Sequence, residues 1–130
     1  MLQPDVPAWF EIPVTDIDRA QRFYEALLGV VMRRVRYMGH TDQAVFPNGG
    51  PDHAGGALVH ADAERTPSQR SGTVVYLSVR DIRPLLERVE ALGGEVLLPL
   101  TAIADTPVLV GHIRDSEGNR VGLASVEAAP

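Results

Sequence analysis

A chain of 130 residues with 45% apolar content has the size and hydrophobicity of one ordinary domain with its own core. A formal net charge of -5 without a basic stripe argues against nucleic acid as a partner, and the absence of cysteine excludes disulfides, thiolate nucleophiles, cysteine zinc sites and iron–sulfur clusters. No apolar run approaches the roughly 20 residues that span a bilayer. The opening MLQPDVPAWF shows no basic segment followed by an apolar one, so the expectation is a cytoplasmic protein without a membrane partner.

Taken in chain order, AWFEIPV (8–14) reads as a strand with one carboxylate, Glu11, in its middle. Ile17, Ala20, Phe23, Tyr24, Leu27 and Leu28 then recur at helical spacing. Asp16, with Thr15 as a rival, is placed to cap that helix, and Gly29 to stop it. Strand-like runs follow at 30–38, 42–47 and 56–60, the last two separated by the glycine-rich PNGGPDHAGG (47–56). The polar stretch ADAERTPSQRSG (61–72) has no periodicity and reads as a connector. TVVYLSV (73–79) is the next strand. A second helix follows, with Ile82, Leu85, Leu86, Val89 and Leu92 on one face, Asp81 as its cap and Pro84 in its first turn, where a missing N–H costs little. Gly93 or Gly94 ends it. Three more strands fall at 95–101, 107–114 and 119–126, the last two joined by DSEGNR (115–120), a hairpin turn with Gly118 available for positive φ.

The chain repeats itself. A shift of 65 residues lays FEIPVTDIDRAQRFYEALLGVV over VYLSVRDIRPLLERVEALGGEV without a gap. Val14 falls on Val79, Asp16 on Asp81, Ile17 on Ile82, Glu25-Ala26-Leu27 on Glu90-Ala91-Leu92, Gly29 on Gly94 and Val31 on Val96. The expected architecture is α+β: two βαβββ modules, 8–60 and 73–126, joined by the connector 61–72 within one domain spanning 1–130.

This pattern resembles the vicinal oxygen chelate superfamily, which holds glyoxalase I, extradiol dioxygenases, fosfomycin-resistance enzymes and bleomycin-binding proteins. FEIPVTDIDRAQRFYEALLGV, VVYLSVRDIRPLLERVEALGGEV and DSEGNRVGL carry the likeness, in particular to the branch related to lactoylglutathione lyase. The resemblance implies a curved mixed sheet around a cavity, with the helices on the outer face, and frequent homodimers. It also implies four metal-ligand positions on the inner face of metal-dependent members. Carried over, these fall on Trp9, Val74, Gly122 and a residue near Gly56 or Ala57. None can ligate a divalent metal through its side chain, so the reading expects no metal and no other cofactor.

Alternation along the first strand puts Glu11 on Trp9's face and Phe10, Ile12 and Val14 on the helix face. In the second copy Tyr76 and Ser78 take the inner face, as does Arg120 on the closing hairpin. The shift of 65 carries Glu11 onto Tyr76, so the two are expected to face one another across a pseudo-twofold axis. Two readings of Glu11 stand side by side: a general base with Tyr76 as partner acid, or a structural carboxylate paired with Arg120 or another arginine. Trp9 is a stacking wall for a planar ligand or part of a subunit interface. His53 rims the cavity, His112 lies on a strand whose facing the sequence leaves open, and His40 and His60 face solvent. Arg33, Arg34 and Arg36 read as a solvated strand face. The ligand is a small organic molecule. The function is acid–base lyase or isomerase chemistry without a metal; the alternatives are a non-catalytic binding or sequestering protein, and a metal-dependent glyoxalase or dioxygenase with unusual ligands.

Overall fold

The computed structural model describes residues 9–37, 41–48, 50 and 53–127. The first module is β1 (Trp9–Val14), α1 (Ile17–Leu28), β2 (Arg33–Tyr37), β3 (Thr41–Val45) and β4 (Gly55–His60); the second is β5 (Val75–Ser78), α2 (Ile82–Arg88), β6 (Glu95–Ala102), β7 (Val108–Arg114) and β8 (Arg120–Val126). Each module forms a mixed four-stranded sheet, ordered β1-β4-β3-β2 and β5-β8-β7-β6. The β1–β4 and β5–β8 ladders repeat the 65-residue shift: Glu11 lies beside Ala57, and Tyr76 beside Gly122. β3 meets β4 two residues out of step with β7 on β8, and β6 shifts register along β7. No described helix is long and apolar enough to cross a membrane.

The helices form where sequence and capping agree. Asp16 is extended and accepts from the Arg19 N–H at 3.0 Å, satisfying one of the free donors of the first turn. Gly29 closes α1 at φ 67°, where a side chain would be strained. The second helical stretch is shorter than its spacing predicts. α2 ends at Arg88, and Glu90–Leu92 tightens into a 3₁₀ turn before Gly93 reverses the chain at φ 99°. Both helices cover the same side of the sheets. Ile12, Val14 and Leu58 meet Tyr24 and Leu27 there, and Leu77, Ile113 and Leu123 meet Ile82 and Val89, all within one core.

β1 and β5 are each the edge of their own sheet and share no ladder hydrogen bonds. They border the seam between the two modules and run in opposite directions. The start of β1 shares a cleft with the end of β5 (Phe10 with Leu77), and the end of β1 shares one with the start of β5 (Pro13 with Thr73). At the second of these ends the seam is bolted by polar side chains. The fully buried Asp115 carboxylate accepts from the Tyr24 hydroxyl at 2.6 Å, from the backbone N–H groups of Glu117 and Asn119 at 2.9 Å each, and from Asn119 Nδ2 at 3.0 Å. Asn119 Nδ2 also donates to the Pro13 carbonyl at 2.8 Å. A buried carboxylate is tolerated because four donors meet it. Burial, then the Asp115 charge, push the Tyr24 hydroxyl well above its ordinary pKa, so it keeps the proton it donates.

Outside this bolt, Glu117 caps the first helix from the other module. Its carboxylate accepts from the N–H groups of Thr15 and Asp16 at 3.0 and 2.8 Å, and from Arg19 Nε at 2.7 Å.

Candidate functional site

Burial along the edge strands sorts the two faces. In β1, Ile12 and Val14 are buried while Trp9 and Glu11 are exposed; in β5, Leu77 is buried between exposed Tyr76 and Ser78. Glu11, Trp9, Tyr76 and Ser78 therefore occupy the open face, opposite the helices, as the alternation predicts. The ladder settles His112. It lies opposite Gly122, with Val110 opposite Ala124 and Arg114 opposite Arg120, so His112 stands on the open face beside Tyr76 and Arg120.

These three side chains form a chain of hydrogen bonds. Arg120 Nη1 lies 2.9 Å from His112 Nδ1, and Tyr76 Oη lies 2.6 Å from His112 Nε2. A guanidinium only donates, so Nδ1 must accept and the ring hydrogen sits on Nε2. Nε2–H then donates to the Tyr76 oxygen, which leaves the phenolic proton free to point at whatever occupies the open face. Burial, then the Arg120 charge, hold the His112 pKa below its ordinary value, in keeping with a neutral ring. Arg120 is itself fixed by donating from Nε to the Gln69 carbonyl at 2.9 Å. The Tyr76 ring lies over Gly122, and a Cβ at that position would overlap it. The glycine thus makes room for an aromatic ring on the sheet, as cross-strand aromatic–glycine pairs do.

Glu11 makes a different contact from Tyr76. It receives Arg65 Nη1 at 2.5 Å, so the carboxylate's partner is an arginine of the connector and not Arg120. Arg65 is aimed by a local turn: Asp62 Oδ1 accepts from the N–H groups of Glu64 and Arg65 at 2.9 Å each, and Asp62 Oδ2 meets the Arg65 guanidinium at 3.2 Å. The sequence reading missed Arg65 because the connector has no periodicity; the Asp62 turn was the available signal.

The three β2 arginines do not share one solvated face. Arg34 reaches Asp18 at 2.8 Å and Gln21 at 2.6 Å, tying the strand to α1, while Arg36 pairs with Asp42 at 3.3 Å. Arg33 lines a cleft of about 400 Å³ on the open face together with Trp9, Val35 and Val45. His53 is exposed and lines a separate cavity at the unbolted end of the seam, with Ser78 across from it. His60 lies opposite Val14, at the helix-side end of β4, and His40 lies outside the described residues.

The register also identifies the fourth metal-ligand position. Because Gly122 lies beside Tyr76, its counterpart beside Glu11 is Ala57 and not Gly56. Trp9, Val74, Ala57 and Gly122 offer neither imidazole nor carboxylate, and among the described residues no three His, Asp or Glu side chains converge. This donor set does not fit a divalent metal.

The sequence profile of the Glyoxalase/Bleomycin resistance protein/Dioxygenase superfamily matches residues 7–123. CFP32 of Mycobacterium bovis and of Mycobacterium tuberculosis, whose name assigns it provisionally to the glyoxylases, is 30% identical over 125 residues, 90% of this chain. That match takes in 44% of CFP32, so the chain spans less than half the length of these relatives. Among solved structures, TnmS3, an antibiotic binding protein from Streptomyces sp. CB03234, superposes with a TM-score of 0.70 at 19% identity, over 98% of this chain and all of the other. A glyoxalase I mutant from Zea mays gives 0.69 at 19% identity, over 94% of this chain and 46% of that one. FosX, a fosfomycin resistance protein from Listeria monocytogenes, gives 0.64 at 12% identity, over 96% and 94%. At these identities the structures share the fold.

Proposed function

The chain belongs to the Glyoxalase/Bleomycin resistance protein/Dioxygenase superfamily, and we propose that it uses the open face to bind a small organic molecule without a divalent metal. The observation that carries this reading is the Arg120–His112–Tyr76 chain, which fixes the phenol as an acceptor on one side and frees its proton as a donor on the other. A ligand with a carbonyl or phenolate oxygen would accept that proton. Trp9 offers its flat body a stacking surface and Arg33 a cation. An antibiotic-binding protein of the same fold supports the binding class. Membership of the branch related to lactoylglutathione lyase, a homodimeric state and a cytoplasmic location belong to the same reading.

A second reading, an acid–base lyase or isomerase, is favoured by the carboxylate and phenol on neighbouring edge strands, with Glu11 as base and Tyr76 as acid. It requires the Glu11–Arg65 pair to part before a proton can be taken. The test is a ligand screen by quenching of Trp9, the single tryptophan, followed by Tyr76→Phe and Glu11→Gln. Binding predicts that Tyr76→Phe weakens the ligand about tenfold, the scale of one hydrogen bond to a well-placed donor. It also predicts no turnover in any form. Turnover that disappears in Glu11→Gln establishes the enzyme instead, and unchanged affinity in Tyr76→Phe overturns the proposed donor.

A further inference from the structure

The duplication makes the two ends of the β1–β5 seam comparable. At one end Tyr24, Asp115 and Asn119 bolt the junction. The shift of 65 carries Tyr24 to Val89 and Asn119 to Ala54, neither of which has a hydrogen-bonding side chain. β3 meets β4 two residues out of step with β7 on β8, so the place of Asp115 is taken by Asn48, which accepts from the Gly50 N–H at 3.2 Å and donates to the His53 carbonyl at 3.5 Å, both within its own loop. The other end holds a cavity of about 910 Å³.

Phe10 and Phe46 form its wall on the first module, and Leu77 and Leu85 its wall on the second. Phe10 and Leu77 are on the helix side of their strands, turned away from the face that carries Tyr76, so the body of this cavity lies on the helix side; Ser78 of the open face borders it, and Phe46, Pro47 and Asn48 stand between it and the Trp9–Arg33 cleft. Its volume falls within the ~300–1,000 Å³ of small-molecule pockets. Arg80, Asp81 and His53 stand among its lining residues. Arg80 is exposed and joins none of the ion pairs among the described residues, while its neighbour Asp81 is engaged by Arg83. Carbon walls beside a guanidinium that is in no ion pair among the described residues are complementary to a molecule with a hydrocarbon body and one anionic end.

We propose that the cavity between the start of β1 and the start of α2 is a second binding site, for a small amphipathic anion whose hydrocarbon or aryl body lies between Phe10 and Leu85 and whose carboxylate or sulfonate meets Arg80. The body is held by removing apolar surface from water, and the head selects charge.

The experiment titrates the full chain with 8-anilinonaphthalene-1-sulfonate and with the uncharged N-phenyl-1-naphthylamine, followed by methyl NMR. One saturable site per chain is expected, with shifts at the methyls of Leu28, Leu77 and Leu85. Arg80→Gln should weaken the sulfonate probe about fivefold and leave the neutral probe within twofold; Arg80 is exposed, so the fold should tolerate the change. Tyr76→Phe should alter neither probe, which separates this site from the open face. No saturable binding, shifts confined to open-face methyls such as Val35 and Val110, or equal responses of both probes to Arg80→Gln each overturn the proposal.

Discussion

Glu117→Gln tests how much one side chain of the second module stabilises the first. The carboxylate side chain is fully buried, yet its pKa is held down from the usual 4.5 to about 2. Burial alone would raise it. Arg19, the Asp16 N–H, Ser116 and Thr15 outweigh that by hydrogen bonding to the charged form. At about 1.4 kcal/mol per pH unit the shift corresponds to roughly 3 kcal/mol, and the half-exposed Arg19 side chain discounts this to about 2 kcal/mol. Because the folded pKa is depressed, the contribution is complete above pH about 4.5 and is lost as pH falls toward about 2. Urea unfolding of both proteins at pH 7 and pH 2.5 measures it. The wild-type-minus-variant difference should be about 2 kcal/mol at neutral pH and shrink toward zero in acid, with other carboxylates cancelling in the subtraction. A difference below about 0.5 kcal/mol at pH 7, the range of ordinary surface substitutions, or one that persists unchanged at pH 2.5, refutes the reasoning.

Tyr24→Phe removes one of four donors from the buried Asp115 and should cost about 2 kcal/mol by the same assay. Gly122→Ala forces the Tyr76 ring off the sheet; a loss of about 1–3 kcal/mol is expected from overpacking, together with loss of the Tyr76–His112 contact in NMR spectra. Imidazole ¹⁵N shifts at pH 7 should report His112 neutral with its hydrogen on Nε2; an Nδ1–H tautomer contradicts the donor assignment of Tyr76. Since the folded pKa of His112 is depressed, its protonation below pH about 6.5 favours the unfolded chain, and stability should decline there in the wild type more than in His112→Gln.

The module pattern was legible because the repeat is ungapped: once Val14 falls on Val79 and Asp16 on Asp81, strand, cap and helix follow in both copies. The facing of β1 was legible from the apolar alternation of Phe10, Ile12 and Val14. β7 gave no such signal, since VLVGHIR is apolar on both faces around His112, and only the ladder with β8 decides it. The partner of Glu11 was hidden for another reason. An ion pair across 54 residues depends on where an aperiodic connector turns, and no local spacing encodes that. The pseudo-twofold axis relates the two ends of the seam. The structure makes them unequal because the tyrosine and asparagine that bolt one end have no polar counterparts in the other copy, and Asn48, in the place of the aspartate, bonds within its own loop.

That junction also ties the two copies into one folding unit. The Tyr24 hydroxyl, fully buried in the first module, finds its acceptor on the second at 2.6 Å, and Asn119 of the second donates to the Pro13 carbonyl of the first at 2.8 Å. Each half therefore completes its buried hydrogen bonding only in the presence of the other, so the duplicated chain unfolds as one body and not as two beads on a string.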